Sequence, residues 1–230
     1  MCFSATASFT SGVVLTGLGI ISLKQVKEDK QKPLAGIPLL FGIQQFVEGF
    51  VWLSLSDPDW AYLQSVAMYS FLVIAQAIWP IWLPVAFIMF EDDPKKKKWM
   101  KPFLGTGILI ASYYIYCLIN VDVKASILHH HIFYDIDFPK LLIPAAAFFY
   151  VISTTVPQLI SGNKKIKWMG LAIFLFYVIS RAFFQPNLIS VWCFFGTFIG
   201  ILVYFVLREN AEQKKMQMSY IKSNDHGAQY

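Results

Sequence analysis

Charged residues are scarce in this 230-residue chain: 14% of it is Asp, Glu, Lys or Arg, against 57% hydrophobic and 17% aromatic residues. A soluble core of this length cannot hide so much apolar side chain, so the composition excludes an ordinary water-soluble domain. It predicts an integral membrane protein whose main partner is the lipid bilayer. We expect no nucleic acid among its partners.

Cysteine and histidine are also rare. The three cysteines, Cys2, Cys117 and Cys193, lie far apart with no CxxC spacing, which excludes a disulfide framework or a zinc knuckle. No histidine falls within a long apolar stretch, which argues against a bis-histidine haem protein. The last apolar stretch contains no lysine, which excludes a retinal Schiff base there. We therefore expect no cofactor.

Long apolar stretches are present instead, and about 20 such residues cross the roughly 30 Å hydrocarbon core as a helix. The third of these stretches is overlong and contains Pro80 and Pro84, so we expect it to be kinked or tilted. The predicted fold class is all-α, a polytopic seven-transmembrane-helix bundle over residues 1–208 with a polar cytoplasmic tail at 209–230. The seven predicted spans are Phe3–Leu23, Pro33–Leu55, Trp60–Phe90, Trp99–Ile119, Pro139–Ile160, Trp168–Phe184 and Leu188–Leu207.

Positive charge alternates between the connecting segments. "KQVKEDKQK", "EDDPKKKK", "GNKKIK" and the tail are rich in Lys or Arg, whereas "SDPD", the loop at 120–138 and "QPN" contain almost none. Because basic loops stay on the cytoplasmic side, this pattern predicts an outside N-terminus and an inside C-terminus. We expect a multi-pass protein of the cell (plasma) membrane.

The longest outer loop contains "ILHHHIFYDID", where apolar and polar residues partly alternate, so it can form a short hairpin or an interfacial segment. His129, His130 and His131 could bind a metal together with Asp135 and Asp137. Three consecutive histidines cannot all face one ion from a regular element, however. We favour a solvated loop without a metal.

Two ionisable residues, Glu48 and Arg181, lie inside predicted spans. Each costs at least about 2.5 to 3.5 kcal/mol at the bilayer centre, so each is expected to face the bundle interior. Both lie about four residues beyond the midpoints of helices that run from inside to outside, roughly 6 Å to the outer side of the midplane. An ion pair between them is therefore geometrically allowed.

Neighbouring polar residues indicate a common pocket that faces outward. Gln44, Gln45 and Glu48 lie on the second span, Gln185 follows Arg181 at i+4, and Ser8 belongs to a hydroxyl-rich side of the first span. One hypothesis is a site for a small polar or charged solute. The other is a structural ion pair, with small hydroxyl residues that let helices approach closely.

The stretches "MCFSATASF" and "IPLLFGIQQFVEGFVW" resemble a prokaryotic family of seven-helix membrane proteins of unknown function, whose members begin with MCFSA. The resemblance extends over most of the spanning region. It implies the fold class and brings no activity.

A second stretch, "TTVPQLISGNKKIK", is similar to the proline-glutamine loop of the SWEET and cystinosin-type transporters, with Pro157 and Gln158 near the inner end of the fifth span. That resemblance implies seven helices arranged as a 3+1+3 repeat. The first span lacks the matching Pro-Gln dipeptide, which departs from the pattern.

Three functions remain open. The first is a transporter or a membrane protein that binds small ligands, which would not be an enzyme. The second is a membrane-embedded hydrolase, because Cys2 would become an N-terminal nucleophile after removal of Met1. The third is a membrane sensor or structural protein, and a homo-oligomer is compatible with each.

Overall fold

The computed structural model describes residues 4–128, 131–183, 189, 196, 198–210, 212 and 216 of the chain. Most of these residues are helical, and residues 198–210 form a further helical segment. A π-helical segment, Ile74–Ile78, joins α4 to α5, and short 3₁₀ turns lie at Asp29–Gln31 and Pro58–Leu63. The α-helices are α1 (Ala5–Gln25), α2 (Lys32–Ala35), α3 (Ile37–Ser56), α4 (Gln64–Val73), α5 (Trp79–Phe90), α6 (Pro94–Asn120), α7 (Ile143–Ile160) and α8 (Lys164–Phe183).

Six continuous helical stretches of the described part are long and apolar enough to cross a membrane. They match the first six predicted spans to within a few residues, because the length of an apolar run is a direct signal of a spanning helix. The seventh predicted span, Leu188–Leu207, lies partly outside the described residues, although 198–207 are helical. The six stretches are Ala5–Gln25, Asp29–Ser56, Pro58–Phe90, Pro94–Asn120, Ile143–Ile160 and Lys164–Phe183.

The starts of two spans follow from their capping residues. The Ser4 hydroxyl accepts a hydrogen bond from the backbone N–H of Ala7 at 3.2 Å and begins α1. The Asp93 carboxylate accepts from the N–H of Lys95 at 2.8 Å and begins α6, where Pro94 supplies a helical φ at a position that needs no N–H. These caps define the ends that the apolar pattern leaves approximate.

The described part of the chain is mostly helical, as predicted, and includes one short β-hairpin. The segment between α6 and α7 forms an antiparallel hairpin of β1 (Val123–Leu128) and β2 (His131–Ile136), in which Ala125 pairs with Tyr134. The hairpin alternative for this loop is thereby confirmed. Tyr134 stacks on Phe71 with ring centroids 5.1 Å apart, so the hairpin packs onto the helices rather than lying free in solvent.

The third span is irregular, as its prolines predict. Pro84 has no N–H to donate to the carbonyl of Pro80, four residues earlier, so the usual α-helical hydrogen bond to that carbonyl is missing. Gly107 of α6 packs directly against this point: a Cβ at Gly107 would lie only 1.8 Å from the Pro80 oxygen. The close contact of α5 with α6 therefore requires glycine at position 107.

The interface between α1 and α3 is built from small residues. A Cβ on Gly42 would lie 2.5 Å from Oγ1 of Thr16, and a Cβ on Gly19 would lie 2.6 Å from the backbone nitrogen of Leu39. Glycine at these positions lets the two helices approach more closely than larger residues would allow. The small and hydroxyl-rich side of α1 is thus, at least in part, a packing surface.

Candidate functional site

The middle of α3 buries three polar side chains in an apolar bundle. Gln44 and Glu48 are completely inaccessible and Gln45 is 1% exposed. Nε2 of Gln45 donates a hydrogen bond to Oε2 of Glu48 at 3.0 Å. A carboxylate at this depth is costly unless polar groups or a proton or cation compensate it, so the Gln45 amide is one such compensating group.

The side-chain amide of Gln44 is held in place by Trp79, whose ring packs on Phe41. Nε1 of Trp79 donates to Oε1 of Gln44 at 2.6 Å, and the Trp79 ring stacks on Phe41 with centroids 4.0 Å apart. Because the indole N–H can only donate, this bond fixes which end of the amide faces Trp79. The orientation of Gln44 is therefore set by α5, a different span.

Ser8 of α1 is completely buried. Its Oγ has no hydrogen-bond partner among the residues that the structure describes, and the same is true of Nε1 of Trp52, which lies one turn beyond Glu48 on α3. A buried polar atom without a partner costs about 1 to 3 kcal/mol. These two atoms are consequently available to a bound solute or water.

Arg181 is not among these buried polar residues. It is exposed, and no hydrogen bond or ion pair between Arg181 and Glu48 occurs among the described residues. The buried stripe of α8 runs through Met169, Ile173 and Ser180, and Arg181 lies about 100° around the helix from Ser180. The ion pair that the sequence allowed is therefore absent among the described residues: Glu48 is buried whereas Arg181 is exposed, although their sequence-derived depths match.

The other predicted site residues lie elsewhere. Cys2, Gln185, His129 and His130 are outside the described residues. His131 begins β2 and is buried. Across the described part of the chain, no group of three or more His, Cys, Asp or Glu side chains is placed to hold a metal ion.

The dipeptide Pro157-Gln158 lies in the last turn of α7. Gln158 is completely buried, and its Nε2 donates to the carbonyl of Thr154 at 2.6 Å. A Cβ on Gly170 of α8 would lie 2.7 Å from Cβ of Gln158, so the two helices pack tightly at this position. The dipeptide is thus a buried part of the α7–α8 contact.

Two cavities, both partly open to the surface, adjoin the polar part of the bundle. The smaller, about 40 Å³, is lined by Phe41, Trp79 and Tyr150 among others. The larger, about 180 Å³, is also lined by Tyr150 and includes Gln76. Glu48 lines neither of them. The sequence analysis missed Gln76, although an amide in an apolar run shortly before Pro80 was a usable signal.

A second buried carboxylate, Glu91, lies at the basic-loop end of the bundle. It accepts hydrogen bonds from Oγ of Ser161 at 2.8 Å, the N–H of Gly162 at 2.7 Å and the N–H of Asp93 at 3.2 Å. Burial by itself would raise the pKa of Glu91, but these hydrogen bonds and the charge of Lys96 together lower it. Glu91 thereby ties the α5–α6 connection to the α7–α8 connection.

These observations define a class: a helical, multi-pass membrane protein with a buried carboxylate and amides in one span. The chain belongs to the family of unknown function DUF6629, which matches residues 1–218. We expected the chain to belong to an uncharacterised family over most of its length, and this family match confirms that expectation. No curated protein and no solved structure matches the chain.

Proposed function

We propose that this protein is a membrane-embedded transporter or binding protein for a small polar or charged solute, with Glu48 as the residue that exchanges a proton or a cation. The observation that carries the proposal is the complete burial of the Glu48 carboxylate in a spanning helix. Ionisable residues inside membrane spans are costly and usually mark pathways for ions or solutes. The hydrogen bond from Gln45 fixes the carboxylate in place.

The polar groups near Glu48 suit a solute with several hydrogen-bonding atoms. The Gln44 and Gln45 amides carry both donors and acceptors, and the buried Ser8 hydroxyl can act as either. Because Trp79 holds Oε1 of Gln44, the solute would meet a pre-oriented amide. A pre-oriented site loses less conformational entropy on binding.

Access to Glu48 requires movement, since the carboxylate lines neither cavity. In our proposal the N-terminus is outside, the basic loops are inside, and the solute enters from the outer side past Arg181 and Gln185. The exposed Arg181 would then attract an anionic solute on entry and would not neutralise Glu48. The structure corresponds, in this scheme, to a closed arrangement.

The kinship with proline-glutamine-loop transporters remains a hypothesis within this proposal. It is supported by the buried Pro157 and Gln158 at the end of α7 that precedes a basic loop. The corresponding 3+1+3 repeat and the plasma-membrane location are likewise proposals. The hydrolase alternative depends on Cys2 and stays a prediction, for which intact-mass measurement of a free N-terminal cysteine is the first test.

The proposal is tested by proton movement, which needs no knowledge of the solute. Wild-type protein in liposomes that enclose a pH-sensitive dye is given a pH step, and infrared spectra record the carboxyl band of Glu48 over the same pH range. We expect Glu48→Gln to abolish that band and the protein-dependent proton flux. Asp59→Asn, which removes an exposed loop carboxylate, is the matched control.

If Glu48→Gln leaves the proton flux unchanged, Glu48 is removed from the transport mechanism. If wild-type protein moves no protons and its Glu48 band does not respond to pH, exchange at Glu48 is refuted. The structural interpretation of the buried carboxylate would then stand, and Glu48→Gln should instead lower thermal stability.

A further inference from the structure

The larger of the two cavities has an unusual lining. We call it the tyrosine cavity; it has a volume of about 180 Å³, is partly open to the surface and lies among the π-helical segment, α6, α7 and α8. Four tyrosines and one phenylalanine supply much of its wall, namely Tyr113, Tyr114, Tyr150, Tyr177 and Phe138. No charged residue lines it within the described part of the chain.

The rings of the tyrosine cavity form one connected cluster around Tyr114. The Tyr114 centroid lies 5.5 Å from that of Tyr113, 5.6 Å from that of Phe138 and 6.2 Å from that of Tyr150, and the three pairs are tilted or edge-to-face. Aromatic rings prefer these arrangements over face-to-face contact. A flat aromatic ligand could extend the same pattern.

One polar group of the wall is unsatisfied. Gln76 is only 6% exposed and lines the tyrosine cavity, and its Oε1 has no hydrogen-bond partner among the described residues. Gln76 belongs to the π-helical segment, a type of irregularity that is frequent at functional sites. Tyr150 stabilises this segment, because its hydroxyl donates to the carbonyl of Ala75 at 2.5 Å.

The size of the tyrosine cavity limits what it can hold. An engineered apolar cavity of about 150 Å³ binds benzene, so about 180 Å³ has room for a single ring or a small fused ring system. A water molecule would need two to four polar partners, and the mostly apolar wall provides few of them. A ligand with an aromatic body and one donor satisfies both the rings and Gln76.

We propose that the tyrosine cavity is a binding site for a small neutral aromatic molecule with one O–H or N–H group, which donates a hydrogen bond to Oε1 of Gln76. The absence of a charged side chain in the described lining favours a neutral ligand, since an unpaired charge in a dry site is strongly disfavoured. This site is separate from the Glu48 site, because none of Gln44, Gln45 and Glu48 lines it.

The test uses indole, with N-methylindole as its matched control, and full-length protein in lipid nanodiscs. An azidoindole is cross-linked to the protein by light, and mass spectrometry identifies the labelled peptides. We expect labels on α6 and α7 segments that line the tyrosine cavity. Indole should compete for labelling about tenfold better than N-methylindole, because the loss of one buried hydrogen bond is worth roughly that factor.

Two variants separate the contributions of size and hydrogen bonding. Gln76→Met keeps the length of the side chain but removes the acceptor, so indole and N-methylindole should compete equally. Ala147→Phe fills the tyrosine cavity and should abolish specific labelling, whereas Ala145→Phe, on the exposed side of the same helix, should not.

Several results would overturn the proposal. These are labels outside the lining segments, equal competition by indole and N-methylindole in the wild type, or full labelling of Ala147→Phe. Displacement of the azidoindole by tetramethylammonium but not by indole would mean that the aromatic wall selects a cation instead. Glu48→Gln should leave indole binding intact, so the two sites can fail independently.

Discussion

Gln45 and Glu48 are joined by a hydrogen bond of 3.0 Å, and both side chains are almost completely inaccessible to solvent. The two residues are three positions apart on α3, so they lie on neighbouring parts of one helix face. The helix itself therefore supplies one compensating partner for its buried carboxylate. This local partner reduces the need for a countercharge from another span.

The first prediction concerns that hydrogen bond. Gln45→Met removes the amide donor and leaves Glu48 buried with one fewer partner, so we expect a loss of about 1 to 3 kcal/mol in stability. Thermal unfolding in detergent, followed by loss of the folded monomer, measures the change. The double variant Gln45→Met with Glu48→Met should recover much of it; no recovery would contradict the explanation.

The second prediction concerns Arg181, which is exposed and forms no ion pair with Glu48 among the described residues. A double-mutant cycle with Glu48→Gln and Arg181→Gln should give a coupling energy within about 0.5 kcal/mol of zero, as for residues without a shared contact. Thermal stability of the four proteins provides the cycle. A coupling of about 2 kcal/mol or more would contradict this expectation and support the ion pair that the sequence allowed.

The third prediction uses two glycines of α6. Gly107→Ala should destabilise the bundle by about 1 to 3 kcal/mol or more, because the new Cβ would collide with the Pro80 carbonyl. Gly105→Ala is the matched control: a Cβ there meets nothing within 4 Å, and alanine favours helix. The unfolding temperature should fall for the first variant and stay equal or rise for the second. Equal effects would argue against the close α5–α6 contact.

The fourth prediction concerns pH and Glu91. Its pKa is lowered in the folded protein from an ordinary value of 4.5, so it contributes stability that is present above that value and is lost as the pH falls through the lowered pKa. Wild-type protein should therefore lose stability on acidification below about 4.5 more steeply than Glu91→Gln. Unfolding temperatures measured across this range decide the point. Parallel pH profiles would show that Glu91 does not contribute in this way.

The sequence was a good guide to residues whose placement follows from a local pattern in one segment. Glu48, Gln44 and Gln45 lie in the middle of a long apolar run, and any helix through that run buries them at the same depth. The hairpin between α6 and α7 was also within reach, because its alternating residues are a local pattern. Gln76 was missed although its place in an apolar run was a usable signal, and Glu91 was missed because its partners Ser161 and Gly162 lie far away in the chain.

By itself, then, the sequence determined that this is a helical membrane protein, the approximate positions of six of its spans, and that α3 carries polar groups within an apolar run. Those properties follow from apolar run lengths that must match the thickness of the hydrocarbon core. Only the tertiary structure decided which way Arg181 faces, that aromatic rings from separate helices enclose the tyrosine cavity beside Gln76, and that Glu91 connects two loops. Rotation of each helix about its axis is set by packing against its neighbours, and no single segment contains that information.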